Sequence, residues 1–197
     1  MRPRIKFCGM TRGVDIDAAE ALGVDFIGFI FVPLSPRSVT LDEAKNLRRS
    51  VRTAQSVGVF ADDDVIDIER HVRELKLSYV QLHGAPDTAK IARLSCPVIQ
   101  AFSGVPPLAT LETFLLCCPY VLIDAPDDLD EADICGIAAL PPGIRSRLFL
   151  AGGLTPNNVR SAVDRVLPFA VDTARGIEIR PGIKDHARMS AFFQSLS

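Results

Sequence analysis

Residues 147–159 read RLFLAGGLTPNNV. An apolar run, 147–151, is cut by Gly152-Gly153, and a new periodic stretch follows. The run has the composition of a short strand. Thr155 fits the cap and Pro156 the first turn of a helix over 156–166. A double glycine can be a plain tight turn. Between a strand and a helix it also lets backbone amides approach an anion closely.

The same unit recurs on both sides. Candidate strands are 4–8 RIKFC, 25–32 DFIGFIFV, 56–60 SVGVF, 79–82 YVQL, 97–102 PVIQAF, 120–124 YVLID, 147–151 RLFLA and 169–172 FAVD. They are mostly apolar on both faces, as parallel strands covered on both sides should be. Helical patterns lie near 14–22, 41–51, 64–76, 86–94, 108–118, 130–139, 156–166 and 184–195. Thr40 and Glu43 form a capping-box pattern, and Asp185 falls in the first turn of the last helix, where the dipole favours an anion. The Asp-rich APDDLDEAD at 125–133 is the most loop-like run. Eight units in 197 residues leave about 25 residues each. Open α/β sheets usually have fewer strands, so the expectation is α/β: one (β/α)₈ barrel domain over 1–197, with short loops.

The totals narrow the function. The chain has 22 Lys and Arg against 24 Asp and Glu. No basic surplus speaks for nucleic acid, so acidic ligands must meet local cations or backbone amides. No apolar stretch nears the roughly 18 residues of a membrane span, and the N-terminus does not read as a signal peptide. Five cysteines without a CxxC pair read as reduced thiols of a cytoplasmic protein. The three histidines share no ligand spacing with them, so no metal site is expected. With no exposed apolar face visible, a monomer is expected, with a homodimer open.

In a barrel, the active site lies at the C-terminal ends of the strands. Cys8 ends the first strand, and the second runs into a loop carrying Arg37. His83 follows the fourth strand, Asp124 ends the sixth, and Asp172 ends the eighth. Gly152 and Gly153 follow the seventh, with Arg175 and Gly176 just beyond the eighth. The recurrent phosphate site of barrels uses those last two loops, which points to a sugar-phosphate ligand. Each residue has a plainer reading: Cys8 as core, His83 as a structural histidine, Asp124 as a helix cap, Arg37 as a solvated loop residue. Their convergence on one mouth favours chemistry.

The stretches IKFCGMT, DFIGFIFVPLSPRSV, VGVF, YVQLHG, LIDA, LAGGLTPNNV and RPGIKD run in order from residue 5 to 185. Together they resemble the phosphoribosylanthranilate isomerases of tryptophan biosynthesis. The resemblance implies a (β/α)₈ barrel that performs an Amadori rearrangement without metal or organic cofactor. It implies Cys8 as general base, Asp124 as general acid, and Arg37 as the holder of the anthranilate carboxylate. His83 is implied in the substrate pocket and Asp172 near the ribose. The chemistry asks for a thiolate, hence a thiol lowered from about 8.5, helped by nearby cations. It also asks for a carboxyl raised from about 3.9, through burial and a neighbouring anion.

Two stretches depart from the family. After the sixth strand, members usually carry Gly-Gly-x-Gly-x-x-Phe-x-Trp over the substrate. Here the text is acidic, and the chain has no tryptophan. After the eighth strand, Asp-Val-Ser-Ser-Gly-Val-Glu is replaced by DTARGIE, so two hydroxyl donors become Ala174 and Arg175. Arg175 either binds the phosphate in their place or fills its site. Two other readings therefore stay open: the same chemistry on another phosphoribosyl substrate, or a barrel that binds an anion or partner without turnover.

Overall fold

The computed structural model describes residues 2–125 and 129–197. Eight parallel strands close into a barrel in chain order. They are β1 (Arg4–Phe7), β2 (Phe26–Ile30), β3 (Gln55–Phe60), β4 (Tyr79–Leu82), β5 (Val98–Ser103), β6 (Tyr120–Asp124), β7 (Leu148–Ala151) and β8 (Ala170–Thr173). The seam is shut by β1 against β8, with Lys6 opposite Asp172 and Phe7 opposite Thr173. Around the strands lie α1 (Gly13–Leu22), α2 (Leu41–Arg48), α3 (Val65–Leu75), α4 (Thr88–Ile91), α5 (Leu108–Cys117), α6 (Glu131–Ala138), α7 (Pro142–Arg145), α8 (Val159–Val166) and α9 (His186–Gln194). No helix among the described residues is long and apolar enough to cross a membrane.

Side chains alternate along a strand, and this divides the interior in two. One set fills the layer between strands and helices, as where Phe7 meets Phe192 of α9 at 5.8 Å. The other set fills the barrel itself: Phe26, Val57, Ile99, Ala101, Leu122, Phe149, Ala151 and Ala170. Because both faces are buried, the strands are apolar on both, as expected from their sequence.

Helix starts follow local chemistry. Thr40 and Glu43 do form a capping box, and Asp64 caps α3 by accepting from the Asp67 amide. Inside the acidic run, Asp130 caps α6 with Asp133 in the reciprocal position. The Asp-rich segment is thus loop only at its start, and residues 126–128 lie outside the described residues.

Several boundaries differ from expectation. Asp185 is the N-cap of α9 rather than part of its first turn, accepting from the amides of Ala187 and Arg188. Thr155 and Pro156 stand in a turn before α8, whose first residue is Val159. There the Asn158 side chain accepts from the Thr155 amide at 2.7 Å, so the local bonding of asparagine delays the helix. The pattern over 86–94 shrinks to the single turn α4. An element not anticipated is a hairpin of β9 (Glu178–Arg180) and β10 (Ile183–Lys184), preceded by a 3₁₀ turn at Arg175–Ile177.

Candidate active site

The alternation that packs the barrel also builds its mouth. Lys6 and Cys8 are two residues apart, so both point inward, as do Gln81 and His83 on and after β4. All nine sequence-predicted residues border one open cavity of about 360 Å³: Cys8, Arg37, His83, Asp124, Gly152, Gly153, Asp172, Arg175 and Gly176. Ile30, Val59, Gln81, Ala125, Ala151, Leu154, Thr173 and Ala174 complete its wall. Among the described residues, no three His, Cys, Asp or Glu side chains gather as a metal site.

Asp124 sits at the inner end of β6. Burial first, then the nearby Asp172 carboxylate, push its carboxyl up to about 6, against Lys6 and Arg175. The anion that acts on it is therefore Asp172. The Cys8 thiol is not lowered, as expected from the chemistry, but pushed up, because burial outweighs the opposing pull of Lys6. His83 is pushed down by burial and by Lys6, so its ring is neutral at pH 7. The Gln81 amide donates to His83 Nε2 at 2.6 Å, which places the ring proton on Nδ1.

Arg37 is not the free fork that a loop position suggested. Its Nε lies 2.9 Å and 3.1 Å from the two Glu178 oxygens, and its Nη2 lies 2.7 Å from Oε2. Burial works to raise the Glu178 carboxyl, but hydrogen bonds from Arg37 and Lys184 hold it below the usual range. Lys184 Nζ donates to Glu178 at 2.8 Å and to the Cys8 carbonyl at 2.6 Å. The hairpin thus ties the end of β1 to the arginine. Gly9, just after Cys8, is left-handed (φ +68°), and a Cβ there would lie 2.6 Å from Arg37 Cδ. Only glycine lets the arginine stem cross the chain beside the thiol.

The glycines after β7 have a packing reason as well. Gly152 is left-handed (φ +105°), and a Cβ would lie 2.6 Å from the Ala125 amide nitrogen. At Gly176, a Cβ would run into the Leu154 carbonyl. These glycines bring the loops after β6, β7 and β8 into contact around the mouth.

Sequence reasoning gave no role to Lys6, Gln81, Glu178 or Lys184. Each stood inside a quoted motif, but a lone charge in an apolar strand carries no sign of its partner. Burial of a lysine at the third position of the first strand was the available signal: an inward-facing ammonium needs an anion.

Comparison with known proteins agrees with this fold. A family model described as N-(5'phosphoribosyl)anthranilate (PRA) isomerase matches residues 5–195. This chain belongs to that family. The N-(5'-phosphoribosyl)anthranilate isomerase of Dechloromonas aromatica is 38% identical over 98% of this chain and 95% of its own length. The crystal structure of the phosphoribosyl anthranilate isomerase from Thermus thermophilus superposes with a TM-score of 0.87 at 30% identity, covering 98% of each chain. A family structure described as a complex with reduced 1-(o-carboxyphenylamino)-1-deoxyribulose 5-phosphate superposes with a TM-score of 0.83 at 32% identity, covering 98% of each chain. Phosphoribosylanthranilate isomerases are enzymes of tryptophan biosynthesis, so an isomerase is the class to which the mouth's chemistry must answer.

Proposed function

We propose that this isomerase converts N-(5-phosphoribosyl)anthranilate into 1-(2-carboxyphenylamino)-1-deoxyribulose 5-phosphate with Asp124 as general acid and Cys8 as general base. The observation that carries the reading is the pair of unlike groups on one cavity: a carboxyl that keeps its proton to about pH 6, and a thiol beside an ammonium. Both groups are shifted from their ordinary values by burial and by neighbouring charge, as groups at catalytic sites often are.

Asp124 gives its proton to the ribose ring oxygen, and the C1–O bond breaks to leave a Schiff base. The Cys8 thiolate then takes the proton from C2, and the electron pair moves to the iminium nitrogen, giving an enolamine. Return of a proton to C1 and loss of one from the C2 hydroxyl give the ketone. No atom is gained or lost.

Binding divides the substrate's charges. The Nη edge of Arg37 turned away from Glu178 meets the anthranilate carboxylate, with the guanidinium held flat by its carboxylate partner. The phosphate lies against Gly152, Gly153, Arg175 and Gly176, where Arg175 supplies charge in place of two hydroxyls. Neutral His83 lines the pocket, and Asp172 receives ribose hydroxyls. Asp172 Oδ1 and Gln81 Oε1, both buried on the cavity, accept no hydrogen bond from the described residues.

The test is turnover of freshly generated phosphoribosylanthranilate, followed by loss of its fluorescence, on wild type and on Cys8→Ala. Turnover by wild type and none by a folded Cys8→Ala is the expected result. An inert, folded wild type would overturn the proposed activity, and an active Cys8→Ala would return Cys8 to the core.

A further inference from the structure

The mechanism above leaves one buried charge of the barrel unused. Lys6 has no exposed surface. It lies one inward step below Cys8, and across the seam its Nζ stands 2.9 Å from Asp172 Oδ2. Its charge also bears on the Cys8 side chain, two residues along the same inward face. Gly28 shows how both fit. A Cβ on that residue would lie 2.7 Å from Cys8 Sγ and 3.3 Å from Lys6 Cε. The neighbouring strand has no side chain at the point where thiol and ammonium meet.

We infer that Lys6 is a positioning residue of the reaction: its ammonium, shared between Asp172 and the Cys8 sulfur, holds the charge of the thiolate. The inference rests on Cys8 being the base. The other charged groups that bear on the sulfur are Asp172 on β8, Lys184 on β10 and Arg37 after β2. Lys184 and Arg37 are each bound to Glu178, whose carboxylate offsets them. Lys6 is paired too, with Asp172, yet it exerts the strongest downward pull on the thiol. Burial keeps the proton on sulfur, Lys6 draws it off, and Asp172 opposes Lys6.

Asp172 and Cys8 therefore compete for one ammonium. A ribose hydroxyl that donates to the Asp172 carboxylate disperses its charge and releases Lys6 towards the sulfur. The arrival of substrate thereby raises the fraction of Cys8 present as thiolate.

The competition predicts opposite signs for two substitutions. The readout is the pH dependence of Cys8 alkylation by iodoacetamide, followed on the Cys8 peptide by mass spectrometry, because Cys117 and Cys135 are exposed. Lys6→Met should raise the midpoint by at least about one pH unit, slowing alkylation at neutral pH about tenfold. Asp172→Asn should lower the midpoint and speed alkylation. A purely structural lysine would give neither the shift nor the reversal of sign. Coincident profiles for wild type and Lys6→Met, or shifts in the same direction for both variants, overturn the inference. If Lys6→Met alone does not fold, Lys6→Met with Asp172→Asn removes both charges, and a midpoint at or below wild type overturns it. Turnover of Cys8→Ala is read separately: if it is retained, Cys8 is not the base, and if it is lost while the profiles coincide, Cys8 is the base without Lys6.

Discussion

The two ends of this barrel are built from the same strands by the same alternation, yet they hold opposite chemistry. At the N-terminal end, Phe26, Tyr79, Tyr120, Phe149 and Phe169 form a continuous aromatic cluster. Tyr120 stacks on Phe169 at 4.4 Å, and Phe26 meets Phe149 edge-on at 5.1 Å. At the C-terminal end, the same inward positions carry Lys6, Cys8, Gln81, His83, Asp124 and Asp172. One end contributes burial and ring contacts. The other places charges where water is scarce, which shifts their protonation at a cost in stability. The fold tolerates the second because the first is so apolar.

The sharpest way to break the comparison is at the charged end. Asp124→Asn keeps the shape and removes the transferable proton. Its kcat should fall about 10²–10⁴-fold, with near-native circular dichroism. A loss below tenfold would move Asp124 out of the mechanism.

The converse change is Phe149→Ala at the aromatic end. It should lower unfolding stability by about 3–5 kcal/mol in urea titration, while kcat/KM per folded molecule stays near wild type. A large loss of kcat/KM with little loss of stability would show that the two ends are not independent.

Arg37→Lys sharpens the reading within the mouth, keeping the charge but losing the fork. KM should rise about 10–100-fold with a small change in kcat, because a paired hydrogen bond to a charged group is worth about 1.5–3 kcal/mol. A change confined to kcat would place Arg37 with the reacting atoms rather than with the carboxylate.

The smallest effect tests the cost of burying the acid. Asp124 is raised from 3.8 to about 6 in the folded chain. Its protonated form supports the fold below 3.8, and that support is lost as pH rises through about 6. Asp124→Asn never ionises, so it should melt about 2–4 °C above wild type at pH 8, with the gap closing towards pH 4. Equal melting points at both pH values would mean that the carboxyl is better solvated than its place on β6 indicates. In wild type, the ring-opening step should slow as pH rises above about 6, because Asp124 then loses the proton it donates.

Much of this was legible in the chain. Each candidate strand was real, because β-branched and aromatic runs between amphipathic stretches record burial on both faces. Cys8, His83, Asp124 and Asp172 were placed at the mouth because they end strands, and all of them border the cavity. The turn before α8 and the hairpin over 178–184 were not legible. Asn158 bonding to the Thr155 amide competes with helix formation locally, and the hairpin is held by Glu178 and Lys184 through partners far away in sequence.

The chain by itself determined which side chains face inward, since that depends only on a two-residue period within each strand. It could not determine who meets whom. Lys6 and Asp172 are 166 positions apart and touch only because β1 closes on β8 in one register. Arg37 and Glu178, 141 apart, meet because the hairpin folds back against the loops after β1 and β2. Local alternation is written residue by residue, whereas the pairing of buried charges follows from closure of the barrel, and that closure decides which proton each group keeps.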